Sequence, residues 1–135
     1  MNDKDIVQEW VSFAEMDLNT AKHLNKTMFP QPLAIICYHY QQAVEKYLKG
    51  ALVLFGVEIR KTHDLGLLAE ELNNYINVDD KYIDYCYDLT TYGVKTRYPQ
   101  ELQIEVHHKD LALKEAEEVC IWLSNIINKH LTTNK

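Results

Sequence analysis

Apolar residues along this chain recur every three to four positions, and no stretch alternates convincingly as a strand would. On a helical wheel Ile6, Trp10, Phe13, Ala14, Ala21 and Leu24 share one face of a first helix, spanning about residues 4–26. Phe29-Pro30-Gln31-Pro32 then breaks the chain, because proline disfavours helix in the residue before it and suits a helix's first turn. A second helix runs from about Leu33 to Phe55, with Leu33, Ile36, Cys37, Tyr40, Val44, Tyr47, Leu48, Ala51 and Phe55 inward and Gly56 as its C-terminal cap. Thr62 or Asp64 caps a shorter third helix, about 64–76, that buries Leu65, Leu68, Ala69 and Leu72. Asp79-Asp80 opens a fourth, with both acids at its positive end and Tyr82, Cys86 and Leu89 as its inner stripe, ending near Gly93. The last, about 109–131, buries Ala112, Ala116, Val119, Leu123, Ile126 and Ile127. The expected fold is all-α: an up-and-down antiparallel bundle of about five helices forming a single domain over residues 1–135.

The 135 residues, 47% of them hydrophobic, bury enough surface to need no disulfide or metal staple. The net charge of −6 argues against broad, sequence-blind nucleic-acid binding, which needs a cationic surface, but leaves room for a small basic site. Cys37, Cys86 and Cys120 are odd in number and far apart, and they lie among apolar residues at helical spacing. They read as buried small hydrophobes rather than a disulfide framework or zinc ligands. The adjacent His107 and His108 point to opposite sides and make a poor metal site. HExxH, GxGxxG, GxxxxGK[ST] and GxSxG motifs do not occur, so no metal site and no cofactor are expected. The first residues lack an apolar signal core, and no apolar run approaches the roughly 20 residues that span a bilayer, so a cytoplasmic protein without membrane contact is expected.

Several polar residues occupy unusual positions. Asp17 lies in the middle of the apolar face of the first helix, where a carboxylate must find a donor or take up a proton. It is either a satisfied structural group or the orienting partner of a cation such as Arg97 or His39. On the second helix His39, Gln42, Lys46 and Lys49 form one polar stripe, with Ile35 and Val53 on the same side. That stripe is either a solvated face or a surface half covered by a partner, with the lysines lining a groove. Gln41, at the edge of the inner face, can bond across helices. The only arginines are Arg60 and Arg97, whose planar forks suit phosphate or carboxylate. Arg97, followed by Tyr98-Pro99, is presented from a stiffened turn. It either binds an anion or closes a salt bridge at a helix end or to Asp17. His63 beside Asp64 reads as a capping turn.

The run Ile36-Cys37-Tyr38-His39-Tyr40-Gln41-Gln42-Ala43-Val44-Glu45-Lys46-Tyr47-Leu48-Lys49-Gly50-Ala51-Leu52 resembles the signature helix of HEPN domains (higher eukaryotes and prokaryotes nucleotide-binding). Trp10 with Ala14, Asp17-Leu18 and Ala21 is similar to that family's first helix. Thr62-His63-Asp64-Leu65 is similar to its third-helix start, and Tyr92 with Thr96-Arg97-Tyr98-Pro99 to its late turn. The resemblance covers nearly the whole chain. It implies a small helical protein that dimerises and often accompanies a minimal nucleotidyltransferase in toxin–antitoxin pairs. Many relatives are RNases that use an arginine followed four to six residues later by a histidine, and neither Arg60 nor Arg97 has a histidine at that spacing.

Three functions compete. The favoured one is a non-catalytic homodimer that binds a nucleotide or a nucleotidyltransferase partner, with Arg97, Tyr98, Lys46, Lys49, His39 and Gln42 as ligand-binding candidates. In that reading the Arg97 turns and lysine ridges of two copies frame a shared anion pocket. The second is a metal-independent RNase in which Arg97 faces the phosphorane charge and His39, His63 or His107 shuttles protons. The third is a purely structural interaction protein.

Overall fold

The computed structural model describes residues 2–93 and 103–133, and among the described residues the regular elements are all helices. The elements are α1 (Asp3–Thr27), α2 (Leu33–Leu54), α3 (Leu65–Leu72), α4 (Asp80–Thr90) with a 3-10 turn at Thr91–Gly93, and α5 (Val106–Thr133). Side chains close three helix starts by accepting otherwise unpaired amides: Asn2 takes the N–H of Asp5, Asp64 that of Leu67, and Asp79 that of Lys81. Thr62 accepts the N–H of Asp64 one step earlier, so the two expected capping residues work in series. Gly56 has φ +75°, the left-handed conformation that ends a helix cheaply only at glycine. The third helix is shorter than its apolar pattern suggests, because Asn73, Asn74 and Tyr75 continue only as turns.

α2 is the central helix. It is covered along one side by α1, along another by α5, and by α3 and the 3-10 turn on the remaining arc. Val7 and Trp10 lie beside Gly50 while Asp17 reaches His39 and Lys46, so α1 and α2 run antiparallel. Gly50 is where α1 and α5 close on α2 together: a Cβ there would come 3.1 Å from that of Trp10 and 3.9 Å from Ile127. α4 is antiparallel to α3 and to α5, as Tyr87 packs on Gly66 and Tyr82 stacks on Trp122. One joint departs from simple alternation. Residues 55–64 return alongside α2, placing His63 next to Gln41 and Glu45, and α3 then runs parallel to α2 until Tyr75 stacks on Phe55.

The core is built from Ile36, Tyr40, Val44 and Leu48 of α2, Leu65, Leu68 and Leu72 of α3, Leu89 of α4, and Val119, Leu123 and Ile127 of α5. α1 contributes Val7, Ala14 and Ala21. Phe13, expected inward, is 53% exposed: the buried direction of α1 is the side of its small residues, which let the helix sit close to α2. All three cysteines are free and buried, as expected, and burial pushes the thiols of Cys37 and Cys86 up to about 12. Among the described residues no helix is long and apolar enough to cross a membrane.

Candidate functional site

The polar stripe of α2 is not an outer face. Lys49 is 6% exposed, Val53 is buried, and His39, Gln42 and Lys46 are half-buried; the chain's own α1 and the return segment provide the cover that the stripe's pattern suggests for a partner. Only Ile35, at the start of the helix, stays exposed. A buried ammonium needs a counter-charge, and each cation of the stripe has one.

Asp17 is the first centre. Its Oδ1 accepts from Nδ1 of His39 at 2.9 Å, and its Oδ2 accepts from Nζ of Lys46. The two readings of Asp17 thus coincide: it is satisfied, and it orients His39. A carboxylate only accepts, so the bond places a proton on Nδ1 and turns Nε2 away from Asp17. Lys46 spends one of its three N–H groups on Asp17 and lies over the Phe13 ring, 5.9 Å from the centroid.

Glu45 is the second centre, buried on the neighbouring arc of α2. Its Oε2 accepts from Lys49 at 3.1 Å, and its carboxylate takes Nδ1 of His63 at 2.9 Å. His63 is therefore more than a capping turn; its side chain is 73% exposed with the carboxylate behind it. Gln41, fully buried, donates from Nε2 to Glu45 and to the carbonyl of His63, both at 3.4 Å, and its Oε1 accepts from Gln42 at 2.7 Å. The bond expected of Gln41 across helices goes instead, beyond α2, to the return segment at His63. Gln42 lies on the arc between the two centres, so they form one continuous ridge. Lys49 sits 5.9 Å from the Trp10 ring centroid, so each lysine of the ridge has an aromatic ring of α1 beside it.

Of the arginines, Arg60 is tied to Glu71, with Nε 3.0 Å from Oε2. Arg97 and Tyr98 lie outside the described residues. Contrary to expectation, His107 and His108 do not point to opposite sides at the start of α5: their rings pack 4.0 Å apart, because His108 turns back so that its Nδ1 accepts the N–H of Glu105. Among the described residues no group of three or more His, Cys, Asp or Glu is placed to hold a metal ion.

Two features of the fold stand outside the residues singled out in the sequence. Glu45 figures there only as part of the helix pattern, although the i, i+4 spacing to both Gln41 and Lys49 is visible in the chain. The other is a cavity of about 380 Å³ between α4 and α5, walled by Tyr87, Tyr92, His108 and Leu111 and floored by Asp88 and Glu115. Burial first, then a hydrogen bond to Asp88, pushes the Glu115 carboxyl up to about 7. No sequence pattern signals a pair so far apart in the chain.

A family model for the HEPN domain matches residues 7–127. The chain belongs to the HEPN family. The match takes in both centres, from Asp17 to His63. Two solved structures share the HEPN fold seen here. One is ST0689, described as an archaeal HEPN homologue: 23% identical, covering 90% of this chain and 97% of that one, with a TM-score of 0.69. The other is TT1696 from Thermus thermophilus: also 23% identical, covering 88% and 96%, with a TM-score of 0.72. A search of curated proteins finds no match to this HEPN chain.

Proposed function

We propose that this HEPN chain is a non-catalytic module that binds a nucleotide through the α1–α2 ridge around Asp17, His39, Gln42 and Lys46. It works as a homodimer, and a nucleotidyltransferase is the protein partner that the resemblance implies. The observation that carries the reading is the convergence of His39 and Lys46 on the Asp17 carboxylate. Pairing does not disable a phosphate-binding lysine; protein kinases hold theirs against a glutamate in the same manner. Asp17 fixes two long side chains in advance, which lowers the ordering cost of binding. It also leaves N–H groups of Lys46 and the amide of Gln42 to donate to phosphate oxygens. The formal charges of Asp17 and Lys46 cancel, so affinity comes from directed hydrogen bonds rather than from an attractive field. That suits one nucleotide better than a long RNA, whose binding grows with the number of phosphates neutralised. The homodimer is what the resemblance implies.

The test is calorimetric titration with ATP and GTP. Saturable binding by the wild type, weakened at least tenfold in Lys46→Met, is the expected result. A wild type that binds neither nucleotide at millimolar concentration refutes the proposal.

The RNase alternative keeps one supporting observation. His63 is exposed and backed by Glu45, the arrangement of a carboxylate-oriented proton shuttle. Cleavage of single-stranded RNA in EDTA, lost in His63→Ala and in Arg97→Ala, favours it; equal activity in all three proteins, or none in any, removes it.

A further inference from the structure

We infer that Phe13 is the platform on which the base of a bound nucleotide stacks, so that the ridge recognises a nucleoside phosphate as a whole; the inference rests on the nucleotide-binding reading above. Single exposed apolar side chains are ordinary on any protein, so the exposure of Phe13 does not carry this by itself. What carries it is the ring's place in the ridge. Phe13 stands four residues before Asp17 on the same side of α1, and Asp17 holds the ammonium that lies over the Phe13 ring. Ring, ammonium and imidazole therefore meet at one carboxylate, with 53% of the Phe13 side chain left open to solvent.

A nucleotide matches that set piece by piece. Its base offers a flat π-face to the ring, and its phosphate oxygens accept from Lys46 and Gln42. Stacking tolerates any base because every base has such a face, so ATP and GTP should bind alike. A protein partner fits less well. A partner that covers the ridge would also seal His39, Gln42 and Lys46 and leave their free polar atoms to be matched one by one.

The experiment titrates the full chain with ATP, GTP and inorganic tripolyphosphate, which carries the phosphates without a base. The proteins are wild type, Phe13→Ala and Phe13→Trp, with sedimentation mass and thermal unfolding recorded for each. Phe13 is outside the core, so Phe13→Ala should fold and melt as the wild type does. Wild type should bind both nucleotides about tenfold more tightly than tripolyphosphate. Phe13→Ala should lose that margin and keep its tripolyphosphate affinity, while Phe13→Trp should retain or widen the margin. Nucleotide affinity unchanged in Phe13→Ala overturns the inference alone, and if the mass of that variant changes as well, the ring belongs to a contact between copies. A wild type that binds none of the three probes removes the nucleotide-binding reading and the inference with it.

Discussion

Replacing Glu115 with glutamine should stabilise the protein above neutral pH and leave its stability nearly unchanged near pH 4.5. Glu115 is 3% exposed, at the floor of the α4–α5 cavity, and its neighbour there is another carboxyl, Asp88. Burial and that neighbour push its carboxyl up from 4.5 to about 7, a proton that properly belongs to the pair. The unfolded chain releases this proton near its ordinary value, whereas the folded chain holds it to near neutrality. Between those values the folded state binds more protons, so stability falls as pH rises and the full cost is present above about pH 7. At about 1.4 kcal/mol per unit, the upper limit is about 3 kcal/mol, a large part of the 5–15 kcal/mol that typically separates folded from unfolded. Glutamine keeps the shape, can donate to Asp88, and has no charge to desolvate. Asp88, Lys114 and Glu118, the charged groups that act on Glu115, are present in both proteins, so the comparison isolates the Glu115 carboxyl together with its interactions with them. The assay is urea unfolding of both proteins from pH 4.5 to 8. The variant should gain on the wild type progressively across that window. A difference that stays flat with pH, or a variant less stable at pH 8, refutes the reasoning.

Asp17→Asn removes the charge on which His39 and Lys46 converge, and should cost about 2 kcal/mol in urea unfolding while weakening ATP binding. Gly66→Ala places a Cβ 2.2 Å from the Tyr87 ring, so the ring must leave its bond to Glu70. Despite the better helix propensity of alanine, a net loss of about 1–2 kcal/mol is expected, and adding Tyr87→Ala should relieve the clash. Burial raises the Cys37, Cys86 and Cys120 thiols, so a thiol reagent at pH 8 should label none of them in the folded protein and all three in denaturant.

The helices are legible because each carries its own period and punctuation. Asp64 and Asp79 cap where the pattern expects them to, Gly56 terminates α2, and the wheel places Cys86 and Leu89 inward without knowledge of any neighbour. What a wheel cannot report is how many faces of a helix are covered. The pattern of α2 suggests an outer side, but the helix is wrapped by α1, α5 and the return segment, and Lys49 and Val53 are inside with it. Phe13 is the mirror case: its position on the wheel is apolar, but Ala14 and Ala21 define the direction of contact because small residues bring helix axes closer. The identity of the site is half visible. Asp17 stands out as a carboxylate in an apolar face, and His39 is among the partners its position suggests. Lys46 depends on α1 packing against α2, and the Glu45–His63 bond on residues 55–64 turning back along α2, neither of which a local pattern encodes.

That return segment also bears on why a central helix should carry so much polarity. His39, Gln41, Gln42, Glu45, Lys46 and Lys49 all lie on α2, and Gln41, Glu45 and Lys49 are buried. Each loses hydration on folding, and each recovers it through Asp17, His63 or one another. A buried ion pair such as Lys49–Glu45 roughly breaks even, and apolar residues of similar volume would commonly hold the same helix at least as firmly. Stability is therefore a poor explanation for two adjoining carboxylate centres, each gripping one lysine and one histidine. A requirement for those lysines and histidines at fixed positions explains them better. The carboxylates supply position, α1 supplies Trp10 and Phe13 at the lysines' edge, and the chain's reversal at 55–64 supplies the second histidine.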